Sequence, residues 1–233
     1  ANNKASGEGS TGYTSGGGAI QVIGGSEGTL NNVIVKNSHA SQGGAIDLEN
    51  SKVTITGSTF ESNSADGWAG AIYATGNSAL TVEDSSFKDN TAAGATIFTY
   101  GATTVDIKGT NFTDNYDTYS WGVVTVYGTG DVSIEGSKFT KDVEDTYTVD
   151  VYVANDAKVS VKDSTFDTNS YYSIVAVDGE LTLEGNEISS DYVPIYTLGD
   201  AEIVSTVKAQ ILANTTYNWH MAGFEITATL TDD

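Results

Sequence analysis

The chain has no cysteine, which excludes disulfides, thiolate chemistry and thiolate metal sites. A secreted protein of this size can forgo disulfides if its core is large enough, and 39% hydrophobic residues over 233 positions supply one. Proline occurs once, at Pro194. Arginine does not occur: all 10 basic residues are lysines, set against 31 acidic residues for a formal charge of -21. Such a chain repels a phosphate backbone, so nucleic acid and anionic membrane surfaces are poor partners. No apolar run approaches the ~18 residues that suggest a membrane span, so direct membrane insertion is not expected. The opening ANNKASGEGS lacks the charged start and apolar middle of a signal peptide, and we read a mature or excised soluble segment. Length alone allows one elongated domain or two compact ones.

What is abundant is small and polar: 26 glycines, with many Ser, Thr and Asn. That mix suits many turns and short strands and few helices. The stretch VTITGSTFESN at 53 returns as LTVEDSSFKDN at 80, VDIKGTNFTDN at 105, VSIEGSKFTKD at 132 and VSVKDSTFDTN at 159. Phe60, Phe87, Phe112, Phe139 and Phe166 follow at spacings of 27, 25, 27 and 27, and Ile34 and Ile188 extend the series. Three residues after Ile34 and after each Phe lie Asn37, Asn63, Asn90, Asn115, Asp142 and Asn169. Ahead of each aromatic runs an alternating apolar pair, from Val53/Ile55 to Leu181/Leu183, which signals a strand. A second strand precedes it, as in GGAIDL at 43, AGAIYA at 69, GATIFT at 94, GVVTVY at 122 and VDVYVA at 149.

Two or three short strands cannot bury an apolar face alone, so successive units must stack, each strand pairing in parallel with its copy one winding away. The expected fold is all-β: a single-stranded right-handed parallel β-helix of about seven to eight coils, its hand following the general preference of parallel crossovers. The column Thr56, Glu83, Lys108, Glu135, Lys162, Glu184 alternates in charge, as vertical neighbours at strand spacing should. The next column, Gly57, Asp84, Gly109, Gly136, Asp163, Gly185, holds residues that accept positive φ and marks a corner. The Asn column reads as an amide ladder at another corner. The β-helix domain is placed at 1–200. A C-terminal cap, needed to cover an open sheet edge, and the start of a linker to a following domain are placed at 201–233.

GGAI at 17–20 and 43–46, followed by FESN at 60–63 and FKDN at 87–90, resembles the GGAI/FxxN repeats of chlamydial polymorphic outer membrane proteins. The chain is even more similar to the large adhesin-like surface proteins of host-associated methanogenic archaea, in which β-helix segments precede immunoglobulin-like repeats. The ending ITATLTDD resembles the opening of such a repeat. The resemblance spans roughly residues 16–190. It implies an extracellular, cell-surface, adhesion-type role for a monomeric segment of a larger chain, with host or partner-cell glycans or surface proteins as partners. It implies no catalytic residues.

Many parallel β-helices cleave acidic polysaccharides, so a lyase or hydrolase is the competing expectation. Elimination needs a cationic base beside Ca²⁺-binding carboxylates, yet Arg is absent and the lysines are scattered or in the charge ladder. Hydrolysis needs acidic residues converging on one groove with a basic clamp, and no NTD, GHG or RIK run occurs. His39, placed in a corner loop, and His220, in the cap beside Trp219, are isolated. We therefore expect no enzyme. No cofactor is expected either; Asp142/Glu144/Asp145 and Asp47/Glu49 could hold Ca²⁺, but without an EF-hand loop or nine-residue Gly/Asp repeat they read as solvated charge runs.

A binding face is more concrete. With Ile46, Leu48, Ile72, Ala74, Ile97 and Val124 inward, the outward positions read Asp47, Tyr73, Phe98, Thr125 in one column and Glu49, Thr75, Tyr100, Tyr127 in the other. Tyr152 and Tyr196 continue the face, Trp68 and Trp121 lie in the loops leading into it, and Tyr116 and Tyr119 lie just upstream. An exposed aromatic stripe edged by Asp and Ser suits the stacking of sugar rings. The ligand-binding set is Trp68, Tyr73, Phe98, Tyr100, Tyr119, Trp121, Tyr127 and Tyr152, with neutral or basic glycans as ligands. A Tyr ladder that only stabilises its sheet, leaving the chain a structural spacer, is the other reading of the same residues.

Overall fold

The computed structural model describes residues 2–4, 16–119, 121–141, 149–168, 170, 172–189, 193–200, 202–205 and 210–212. They form three parallel sheets, each strand hydrogen-bonded to its copy one winding on. The first sheet runs from Ile20–Ile23 through Ile46–Glu49 to Val193–Leu198, and the second from Glu27–Asn31 through Lys52–Thr56 to Glu202–Ser205; each has 8 strands, matching the expected number of coils. The third begins at Ile34–Ala40 and runs through Thr59–Glu61 to Gln210–Leu212. A short row, Ser64–Ala65, Thr91–Ala92 and Tyr116–Asp117, branches from the end of Ile34–Ala40, so that one strand spans a corner.

Alternation builds the walls. In Lys52–Thr56, Val53 and Ile55 are buried while Lys52 is exposed and Thr54 and Thr56 are half-buried. Inside, Phe60, Phe87, Phe112, Phe139 and Phe166 form one stack with centroids 4.7–5.2 Å apart. Burying each such ring contributes roughly 1.5–3 kcal/mol, and offset stacking adds about 0.5–1.5 kcal/mol. The fold is thus set by a column no single unit could bury.

Corners are closed by residues able to adopt left-handed backbone. Gly57, Asp84, Gly109, Gly136, Asp163 and Gly185 have φ between 47° and 64°, as their column predicts. Behind the next corner, the Asn63 amide donates to Asn90 Oδ1 (3.0 Å) and the Asn90 amide to Asn115 Oδ1 (2.9 Å). The same amides donate to the Val35 and Phe60 carbonyls. The ladder therefore satisfies buried turn groups that would otherwise cost about 1–3 kcal/mol apiece.

The first winding departs from the expected register by one residue. Val35, not Ile34, pairs with Phe60; Val35 is 6% exposed and Ile34 62%. Ser38, not Asn37, meets the ladder, its N–H donating to Asn63 Oδ1 (3.0 Å). Asn37 instead has φ 54° and shares the left-handed corner with Ser62, Asp89 and Asp114. His39 lies in a strand rather than a corner loop, with Nδ1 2.9 Å from Ser64 Oγ.

The charge column stacks as read: Glu83, Lys108, Glu135, Lys162 and Glu184 are successive partners. Lys108 and Glu135 lie 3.6 Å apart, and Lys162 and Glu184 3.0 Å apart. These side chains are solvent-exposed, so each pair adds at most about 1 kcal/mol; their larger effect is to disfavour slipped registers. Toward the C-terminus, Glu202–Ser205 and Gln210–Leu212 continue the parallel pairing. The remainder of the expected cap, with Trp219 and His220, lies outside the described residues, as do Asp142, Glu144, Asp145 and Asn169.

Candidate functional site

The outward face of the first sheet carries a groove of about 690 Å³. Its floor follows from register. Asp47, Tyr73, Phe98, Thr125 and Tyr152 are successive partners in one column, and Glu49, Thr75, Tyr100 and Tyr127 in the next. Tyr100 and Tyr127 stack with centroids 5.8 Å apart, and Tyr100 is 52% exposed.

Phe98 is more covered than its outward position implies. It points outward from the sheet but is only 4% exposed, because Trp68 covers it at 4.9 Å and Trp121 and Tyr73 flank it at 6.3 and 5.8 Å. Phe98 thus lines the groove from beneath, largely covered by the surrounding rings. The cluster needs a small residue in two places. A Cβ at Gly94 would fall 2.7 Å from the Trp68 ring, so glycine lets that indole lie against the sheet. Thr125, between Phe98 and Tyr152 in its column, leaves the space over which Trp121 lies, 5.4 Å from Tyr152 and 5.8 Å from Tyr127.

Trp121 is pinned by its backbone. Its N–H donates to Asp117 Oδ1 (2.8 Å), the Gly122 N–H donates to Asp117 Oδ2 (3.1 Å), and the Thr125 hydroxyl donates to the Trp121 carbonyl (2.8 Å). Asp117 is itself buried. Edge-on contact with Trp68 at 5.2 Å completes the wall.

The groove ends at Asp47 and Glu49, with Gln42 and Ser41 at its side. Gln21 Nε2 donates to Asp47 Oδ2 (3.1 Å). Burial pushes the Asp47 carboxyl above its usual range, the Gln21 hydrogen bond pulls it down, and the neighbouring Glu49 charge raises it further. A Cβ at Gly16 would fall 1.7 Å from Asp47 Oδ2, so the carboxylate is seated against bare backbone.

Of the residues named from sequence, Trp68, Tyr73, Tyr100, Trp121 and Tyr127 line the groove over Phe98. Tyr152 braces Trp121 from beyond the lining. Tyr119, 66% exposed, and Tyr116 lie away from it; Tyr116 belongs to the short row beside Thr91. Tyr196 is separated from Tyr152 by Val175 and pairs instead with Tyr172, 4.9 Å away. Gln42 and Asp117 were not singled out. Gln42 had a signal, since it stands four residues before Ile46 as Trp68 does before Ile72.

The family profile described as "Right handed beta helix region" matches residues 1–144, more than half of the chain. The chain belongs to the right-handed β-helix family. No curated protein and no solved structure matches it. The right-handed β-helix family includes both pectate-lyase-like enzymes and non-enzymes, so membership assigns no reaction, and the site must be argued from its residues. Among the described residues, no group of three or more His, Cys, Asp or Glu is placed to hold a metal ion.

A titratable group outside the groove escaped sequence reading. Asp150, on the same sheet, is fully buried and accepts hydrogen bonds from Thr168 Oγ1 (2.6 Å) and Ser170 Oγ (3.4 Å). Burial pushes its carboxyl up to about 7, opposed by the Thr168 hydrogen bond and the Lys141 charge.

Proposed function

We propose that this β-helix is an extracellular, non-enzymatic segment of a larger cell-surface protein that binds a host or partner-cell glycan in the groove of its first sheet. The observation that carries the reading is one surface combining ring-sized aromatic platforms, Tyr73, Tyr100 and Tyr127 beside Trp68 and Trp121, with acceptors and an amide at its end, Asp47, Glu49 and Gln42. Sugars present the matching pair of properties, apolar C–H faces and a rim of hydroxyls. From Asp47 to Tyr127 the floor spans three windings, about 14 Å at strand spacing, enough for an oligosaccharide rather than a monosaccharide. The rigid wall of sheet and the pinned Trp121 reduce the ordering cost of binding.

Titration with an oligosaccharide panel, following tryptophan fluorescence, tests this. A saccharide that shifts the emission is expected, and Trp121→Ala or Tyr100→Ala should abolish the response. A panel in which no saccharide shifts the emission sinks the reading and leaves a spacer; shortening of a polysaccharide in the same assay establishes the enzyme instead.

A further inference from the structure

The two carboxylates at the end of the groove have no cation beside them: among the described residues every ion pair lies elsewhere. Asp47 and Glu49 project from the same face of Ile46–Glu49, one position apart along that face. Like charges so placed repel, and Asp47 is additionally 9% exposed, where water screens little. One winding on, Tyr73 is the direct partner of Asp47, and Tyr100 follows two windings from Glu49 in the next column; their π-faces also favour positive charge. The carboxylate end of the groove and the rings beside it therefore select against an anion and favour an ammonium.

Building on the glycan reading above, we propose that the groove selects saccharides bearing free amino groups, hexosamine units whose ammonium sits between Asp47 and Glu49 while adjoining rings lie along Tyr73, Tyr100 and Tyr127. The amine supplies the counter-charge that the two carboxylates lack, and its three N–H donors match carboxylate acceptors together with the Gln42 side-chain carbonyl. An N-acetylated unit offers one neutral N–H and a bulkier group at the same place. A uronic acid would bring a third carboxylate.

The test compares the tetrasaccharide of β-1,4-linked glucosamine with its N-acetylated form, a neutral glucan of equal length and an oligogalacturonate, by calorimetry. The free amine should bind about tenfold or more tightly than the acetylated form, with an advantage that shrinks as salt rises from about 20 to about 500 mM. Glu49→Gln, at an exposed site where folding is not at risk, should remove about tenfold of the amine affinity and most of its salt dependence. Asp131→Asn removes equal charge from the exposed face of the second sheet and should change affinity by less than about twofold. Equal weakening by Asp131→Asn would make diffuse attraction to a chain of charge -21 the cause and overturn the proposal. Equal affinity for amine and acetylated sugars would overturn it while leaving glycan binding intact. Capture of oligolysine with no saccharide bound, or of nothing at all, overturns both.

Discussion

Asp117 holds Trp121 by its backbone: the carboxylate Oδ1 lies 2.8 Å from the Trp121 nitrogen, and Oδ2 accepts the next N–H, from Gly122. A charged acceptor with two donors is worth roughly 1.5–3 kcal/mol, spent here on a loop that carries the central aromatic of the groove. Asp117→Ala should leave the β-helix folded, shift tryptophan emission to the red, and weaken the proposed saccharide binding about tenfold. Asp117→Asn, which keeps one acceptor, should recover part of that loss. Fluorescence titration with circular dichroism as the folding control separates this positioning role from general destabilisation.

Asn90 makes the strongest stability prediction. Its side chain accepts from the Asn63 backbone and amide and donates to the Phe60 carbonyl and Asn115. Alanine would strand several fully buried groups, each costing about 1–3 kcal/mol. We expect Asn90→Ala to lower unfolding free energy by roughly 3 kcal/mol or more in urea denaturation, with the neighbouring windings loosening together because each ladder member supports the next.

The charge ladder should matter less, and in a salt-dependent way. Lys108→Glu places three acids in succession with Glu83 and Glu135. The expected loss is up to about 1 kcal/mol at low ionic strength, shrinking in about 1 M salt. A loss that does not change with salt would contradict the stacking account.

Asp150 gives the chain a pH dependence opposite to that of a salt-bridged acid. Its carboxyl stays protonated in the fold up to about 7, whereas its unperturbed value is 3.8. Between those values the folded state binds the extra proton, so stability falls as pH rises from about 4 to about 7 and then levels. At 1.36 kcal/mol per unit the span is about 4 kcal/mol at most. Asp150→Asn should flatten this slope and raise stability near pH 8, read from thermal melts across the range.

Much of the fold was legible because stacking repeats a chemical requirement at a fixed place. Phe60 to Phe166 had to share a column, since no winding could bury its ring alone, and Glu83, Lys108 and Glu135 reported the register independently. The miss at Ile34 has a local cause: Ile34 and Val35 are both β-branched apolar residues, so spacing could not choose between them. The choice fell to the corner at Asn37, which takes the left-handed conformation and moves the ladder contact to Ser38. In the groove, period two placed Tyr73, Tyr100 and Tyr127 on the outer face. It could not show that Trp68 closes over Phe98, nor that Asp117 anchors the chain at Trp121.

Beyond the first winding, the order of residues by itself determined the winding, the inward columns and the corners, because each depends on backbone preference or on similar neighbours one repeat away. Only the tertiary structure decided which outward residues meet solvent. That depends on loops such as the one bearing Trp121 crossing from one winding to the next, where single residues that differ from their vertical neighbours, Asp117, Thr125 and Gly94 among them, fix the path by hydrogen bonds and available space.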